Sequence, residues 1–191
     1  MDPASERALV ERLRRGDGDA FDKIYAHFRA PVFGFLARLS GRRDLAEELL
    51  QETFVRLAGR ARELREDTRL GAWLFTVARN LHVSNVRMDA LDAARADRAA
   101  LEDAARPPTP YEEAAAGETQ LALERALAAL APSYREVLLL VAVERMEPAE
   151  AAQVIGISPD ALRQRLSRAR TMMKEAMAAA PRRRAAAGDT A

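Results

Sequence analysis

EPAEAAQVIGISPDALRQRLSRAR, residues 147–170, reads as helix, tight turn, helix. Pro148 to Ile155 forms a short first helix in which Ala149, Ala152 and Ile155 are spaced for one buried face. Gly156 suits the left-handed position that ends a helix, because it has no Cβ to clash. Ser158 then caps a new start, and Pro159 takes the first helical position, where its missing N–H costs nothing. Beyond it Leu162, Leu166, Ala169 and Met173 make a single narrow apolar stripe. At about 100° per residue the opposite face carries Asp160, Gln164, Ser167 and Thr171, flanked by Arg163, Arg168 and Arg170. Hydrogen-bonding groups outward with arginines along both borders is what major-groove reading requires. A merely solvated basic face shares part of this pattern. Cap, turn, stripe and arginine border together favour DNA reading.

The rest of the composition narrows the class. The chain has 191 residues, enough for two modest cores, and its 49% hydrophobic content is that of a globular protein. Abundant Ala, Leu, Arg and Glu with few β-branched runs point to an all-α fold. There is no cysteine, which excludes disulfides, a thiolate nucleophile and a cysteine-based zinc site. His27 and His82 are too far apart in sequence to indicate a metal pair, and no cofactor is expected. No stretch approaches the ~20 apolar residues of a membrane span and no signal-peptide pattern opens the chain, so the expectation is a cytoplasmic protein without membrane insertion.

A net charge of +1 becomes informative once it is divided. Residues 1–87 carry 16 basic and 13 acidic groups, residues 88–118 carry 3 and 8, residues 119–157 carry 3 and 5, and residues 158–191 carry 8 and 3. Basic ends around an acidic middle suit two nucleic-acid-facing modules joined by a strap that avoids DNA.

Along the chain, Leu9, Val10 and Leu13 give an amphipathic start that ends at Arg14, Arg15 and Gly16. Asp19 is expected to cap a helix with Phe21, Ile24, Tyr25 and Phe28 on one side, and Pro31 to restart or kink it before Val32, Phe35, Leu36 and Leu39. His27 reads as structural or exposed. In the helix Asp44 to Leu57, Ala46, Leu49, Leu50, Thr53, Phe54 and Leu57 fill one arc. Asp44, Glu47, Glu48, Gln51 and Glu52 fill the other, with Val55 inside the acidic patch. Phosphates would be repelled there, whereas a basic, partly apolar partner helix would fit; a solvated acidic face is the plain alternative. Arg60 to Gly71 is polar and weakly periodic, hence a helix end and a loop. Trp73, Leu74, Val77, Leu81 and Val86 give the core stripe of the helix Ala72 to Arg87, with Arg79, Asn80, Ser84 and Arg87 facing out.

Pro107, Pro108 and Pro110 cannot continue a helix and mark a linker. A helix on Leu121, Leu123, Ala126, Leu127 and Leu130 follows, then Tyr134 to Met146, apolar almost all round and expected as the central helix of a second core. The expected division is 1–90, a linker at 91–118, a second domain at 119–178 and a disordered tail at 179–191 whose Arg182, Arg183 and Arg184 could add phosphate contacts.

DLAEELLQETFVRLA (44–58) followed by GAWLFTVARN (71–80) resembles region two of the extracytoplasmic-function sigma factors, the group IV members of the sigma-70 family. SYREVLLLVAVERMEPAEAAQVIGISPDALRQRLSRAR (133–170) resembles their region four. The resemblance spans about residues 17–177 in the expected order. It implies two small helical domains on a flexible acidic linker, the second a helix–turn–helix without a wing. It further implies an alternative sigma factor that binds core RNA polymerase and directs promoter-specific initiation. By position, Glu47, Glu48, Gln51, Glu52 and Val55 fall on the helix that docks on the β′ clamp coiled coil, and the second domain would meet the β flap. Arg65, Asp67, Thr68 and Arg69 fall in the loop that captures a base flipped from the −10 element, with Arg79 and Asn80 at its edge. Arg163, Gln164 and Ser167 match the positions that read the −35 major groove, with Arg165, Arg168 and Arg170 on or near phosphates. An anti-sigma factor is an implied partner. Ser84, Gly71 and the large, charged Arg69 depart from the family pattern, which bears on −10 sequence preference.

Apart from the resemblance, the residues leave other readings open. One is a stand-alone helix–turn–helix regulator with an N-terminal sensor or dimerisation domain; another is a helical adaptor that does not bind DNA. An enzyme is disfavoured, since the sequence holds no nucleophile–base pair, glycine-rich phosphate loop or metal-ligand cluster.

Overall fold

A computed structural model of the protein describes residues 2–95 and 117–179, and every regular element among these residues is helical. The first half contains α1 (Pro3–Arg14), α2 (Gly18–Ser40), α3 (Arg43–Arg60) with a 3₁₀ turn at Ala61–Glu63, and α4 (Leu70–Arg95). The second contains α5 (Glu118–Ala129), α6 (Pro132–Leu138), which runs on as a π turn at Leu139–Val143, then α7 (Pro148–Ile155) and α8 (Pro159–Ala179).

Local chemistry sets the starts. Asp2 caps α1, its carboxylate accepting from Ala4 N at 3.1 Å and Ser5 N at 3.0 Å. The cap of α2 is Asp17, not Asp19: Asp17 Oδ1 accepts from Ala20 N at 3.3 Å, and its other oxygen takes Arg12 Nε at 2.7 Å. That guanidinium holds the Asp17 carboxyl below the usual carboxylate range, so it stays ionised as a cap. Asp19 lies instead in the first turn, where a negative charge still favours the helix dipole.

Pro31 neither restarts nor interrupts α2. One backbone bond is forfeited there, but Phe28, Val32, Phe35 and Leu36 are all buried around it and hold the chain helical. The helix stops at Gly41, whose φ of 71° turns its N–H onto Ala37 O at 2.9 Å.

α2, α3 and α4 pack together with α1 laid on α2. Ile24, Val32, Phe35, Leu36, Leu57, Leu70 and Leu74 are fully buried between them. Phe75, absent from the expected stripe, meets Phe35 edge-on with centroids 5.3 Å apart. Val86, expected in that stripe, is exposed, as is Leu123 on α5. α4 continues to Arg95, five residues past the expected boundary at 90. Most of the expected linker (96–116) and residues 180–191 of the tail, including Arg182, Arg183 and Arg184, lie outside the described residues.

In the second half α6 and its π turn bury Val137, Leu138, Leu139 and Leu140, while Val143, the last residue of the π turn, is exposed. On α7 Ala149 is exposed, against expectation, whereas Ala151 and Val154 join Ala152 and Ile155 in the core. The cause is that α7 is packed on two sides, by α8 and by α4 of the first half.

The two halves therefore close on one another, and one apolar cluster runs from Val10 to Ala169. Arg135 clamps the seam. Its guanidinium donates to Leu127 O (3.0 Å), Ala128 O (2.6 Å) and Leu130 O (2.9 Å) at the end of α5. It also donates to Arg38 O (3.1 Å) and Leu39 O (3.2 Å) at the end of α2. The last carbonyls of a helix have no intrahelical donor, so one planar guanidinium satisfies two helix ends at once. Beside it Arg38 Nη2 pairs with Glu124 at 2.9 Å.

Candidate nucleic-acid interface

The helix–turn–helix is built as its sequence dictates. Gly156 has a φ of 76°, and its N–H bonds Ala152 O at 2.9 Å. Ser158 Oγ accepts from Ala161 N at 3.2 Å, opening α8. Leu162, Leu166 and Ala169 are buried and Met173 is half-buried, which turns Arg163, Gln164, Ser167, Arg168, Arg170 and Thr171 to solvent. Arg163 is paired with Asp160 one turn earlier. Arg165 differs from its neighbours: it is half-buried and points toward Glu136 of α6, at 4.0 Å.

On α3, Glu47, Glu48 and Gln51 are exposed, Glu52 is half-buried beside Arg56 at 2.9 Å, and Val55 is 64% exposed. Val55 is thus a single exposed aliphatic side chain framed by carboxylates, a pattern that a docking face and a solvated acidic face share.

Between Leu64, which is buried, and α4 runs the loop of Arg65, Asp67, Thr68 and Arg69. Thr68 N bonds Arg65 O at 3.0 Å, closing a turn, and Arg65 Nε pairs with Asp67 at 3.0 Å. Arg69 lies between Glu6 of α1 at 3.2 Å and Glu150 of α7 at 3.8 Å. Asn80 is exposed on α4.

Arg79 is not outward-facing, as its position off the core stripe implies it should be. Its Nε donates to Glu136 Oε2 at 2.8 Å, across the seam between the halves. Next along the same helix, His82 is buried with its Nδ1 lacking a hydrogen-bond partner. Burial, with Arg79 and Arg135 nearby, pushes its pKa down, so the imidazole is neutral there. Glu136 and Glu6 are the two carboxylates that the sequence reading passed over. Glu136 carried a signal, being one of two charges inside an otherwise apolar helix; Glu6 carried none, because its partners lie 64 residues away.

Residues 24–90 match the sigma-70 region 2 family and residues 120–173 the sigma-70 region 4 family. The chain is 34% identical over 166 residues to the RNA polymerase sigma factor CarQ of Myxococcus xanthus, covering 87% of this chain and 94% of that protein. It is 30% identical over 156 residues to the ECF RNA polymerase sigma factor SigM of Bacillus subtilis, covering 80% of this chain and 92% of that protein. The chain belongs to the extracytoplasmic-function RNA polymerase sigma factors. It is an alternative sigma factor, a subunit that directs transcription initiation. The fold is similar to that of the sigma factor RpoE of Bartonella quintana, solved in complex with the anti-sigma factor NepR, with a TM-score of 0.71 and 25% identity over 84% of this chain and 98% of that one. Among the described residues no helix of this sigma factor is long and apolar enough to cross a membrane.

Proposed function

We propose that this sigma factor acts in the cytoplasm, without catalytic activity of its own, by holding core polymerase through α3 and promoter DNA through α8 and the α3–α4 loop. One observation carries the reading. A single chain presents an acidic face around exposed Val55 and, on a separate helix, an exposed face of Arg163, Gln164, Ser167 and Arg168.

In this reading residues 1–90 bind the β′ clamp coiled coil and the −10 element, and residues 119–178 meet the β flap and the −35 element. Residues 91–118 link them. Glu47, Glu48, Gln51, Glu52 and Val55 form the clamp contact. Arg163, Gln164 and Ser167 read base edges in the −35 major groove, while Arg168 and Arg170 meet phosphates, with Arg165 once it is released from the seam. Arg65, Asp67, Thr68 and Arg69 surround the flipped −10 base, and Asn80 contacts that element's edge, joined by Arg79 once it is released from Glu136. The similar Bartonella sigma factor was solved with an anti-sigma factor, and a partner of that kind for this chain would compete for the same acidic and basic faces.

Run-off transcription with purified core polymerase tests the reading. Addition of this chain should produce transcripts from promoters of its own genome. Absence of both core binding and initiation would overturn it.

A further inference from the structure

α1 precedes the part of the chain that matches region 2, which begins at residue 24, yet it reaches the promoter-facing loop twice. Arg14 Nη1 pairs with Glu66 at 3.0 Å near one end of the loop. At the other end Glu6, although a carboxylate, is only 8% exposed. Its Oε1 accepts from Leu70 N at 2.7 Å and lies 3.4 Å from Gly71 N, and its Oε2 faces Arg69 Nε at 3.2 Å.

The chemistry explains why such a long-range contact exists. Leu70 opens α4, so Arg69 occupies the capping position, its carbonyl taking Trp73 N at 2.9 Å. An arginine side chain has no acceptor to offer the free amides of the first turn, and the residues that do cap helices are Ser, Thr, Asp and Asn. Glu6 supplies the missing acceptor from another helix, and its charge suits the positive end of the helix dipole. α1 itself is anchored by Val10 and Leu13, both buried against α2, so the carboxylate is held on a rigid support. The same carboxylate holds Arg69 at its Nε, while the Arg69 side chain as a whole remains 61% exposed, with Glu150 of α7 3.8 Å from that nitrogen.

We infer that Glu6 is a positioning residue for −10 capture. Through the first amides of α4 and through Arg69 it holds the Arg65–Arg69 loop in one conformation, so that an extruded base meets a preformed pocket with a fixed arginine. This inference rests on the reading of that loop as the −10 contact. Preorganisation lowers the ordering cost at the moment of binding, and it sharpens the choice among bases because a wrong base cannot reshape the pocket.

The test uses the full chain with core polymerase and a promoter on which it initiates, carrying each of the four bases at the captured position. Templates are compared as intact duplex and as a bubble mismatched through the −10 element. Glu6→Ala should lower initiation from duplex by about tenfold or more, lower it far less from the bubble, and narrow the preference among bases, with core affinity unchanged. Glu6→Gln keeps an acceptor for Leu70 N while losing the charge on Arg69. It guards against misfolding and should show a smaller loss with the same narrowed preference. If both variants only lower thermal stability and leave base preference and the duplex-to-bubble ratio intact, Glu6 is a structural cap and the inference falls. Asp67→Ala with Thr68→Ala separates the two levels: if these too leave base preference unchanged, the loop is not the −10 contact.

Discussion

Glu136 Oε2 accepts from Arg79 Nε at 2.8 Å, and the other oxygen of that carboxylate lies 4.0 Å from Arg165 Nη1. One buried acid from α6 thus faces an arginine expected at the −10 element and another expected near the −35 phosphates. In the proposed reading the carboxylate competes with DNA phosphate for Arg79, which it binds at 2.8 Å, and more weakly for Arg165 at 4.0 Å. Neutralising it should loosen the seam. A double-mutant cycle of Glu136→Gln and Arg79→Ala is expected to give a coupling of about 1–3 kcal/mol. Small-angle scattering of free Glu136→Gln should show a larger radius of gyration than the parent chain. An unchanged radius with zero coupling would mean that the pair contributes nothing to closure.

Stability should also depend on pH, with two groups acting in opposite directions. Burial raises the pKa of Glu144 to about 7 from 4.5, against a weaker downward pull from Arg38. The folded chain therefore prefers the protonated acid, and stability present below 4.5 is lost as pH rises through about 7. His82 runs the other way: its pKa is lowered from 6.5 by burial, then by Arg79 and Arg135, so stability held above 6.5 is lost as pH falls below that value. Glu144→Gln should raise the melting temperature at pH 8 and leave it unchanged at pH 4. The gain should be on the order of 1 kcal/mol, since the side chain is partly solvated and screening reduces the full effect of its shift. Equal melting curves at pH 8 would contradict it.

The caps and turn of the helix–turn–helix were legible: Pro148, Gly156, Ser158 and Pro159 each act through their own backbone, and local rules suffice for such positions. The acidic arc of α3 was legible for the same reason, since helical angle alone sorts Glu48 from Leu49. What failed was set by distant partners. Asp17 displaced Asp19 as a cap because Arg12 stands beside it, and Pro31 stayed helical because the core holds both its flanks. Arg79 reads as an outward residue until α6 is folded against it. Ala149 and Ala151 exchanged burial because α7 meets a second helix that periodicity cannot see.

On α8, Arg163 and Arg168 are both exposed, yet they should behave differently. Arg163→Ala is expected to weaken −35 binding by ~1–3 kcal/mol and to relax base choice at one position. Arg168→Ala should weaken binding about equally on all sequences and lower the salt dependence by about one counterion. Competition binding on a panel of −35 variants at two salt concentrations separates these outcomes. If Arg163→Ala costs the same affinity on every sequence, it is a phosphate contact.

The face of α3 gives the sharpest separation between folding and function. Glu48 is exposed, and Glu52 makes an i,i+4 pair with Arg56 at 2.9 Å. Such a surface pair is worth only about 0.3–0.5 kcal/mol, and neither carboxylate belongs to the core formed by Leu49, Leu50, Thr53 and Phe54. Glu48→Lys with Glu52→Lys should therefore leave the melting temperature within a few degrees of the parent, a shift of about 1 kcal/mol at most. Against a basic partner helix the same change turns attraction into like-charge contact, which costs several kcal/mol. Core polymerase affinity should then fall about 100-fold or more, while −35 binding by α8 is untouched. Val55→Asp should act in the same direction, because an exposed valine loses little in the free chain but would bury a charge at the interface. Retained core affinity in both variants would leave the acidic arc a solvated surface and place the clamp contact elsewhere.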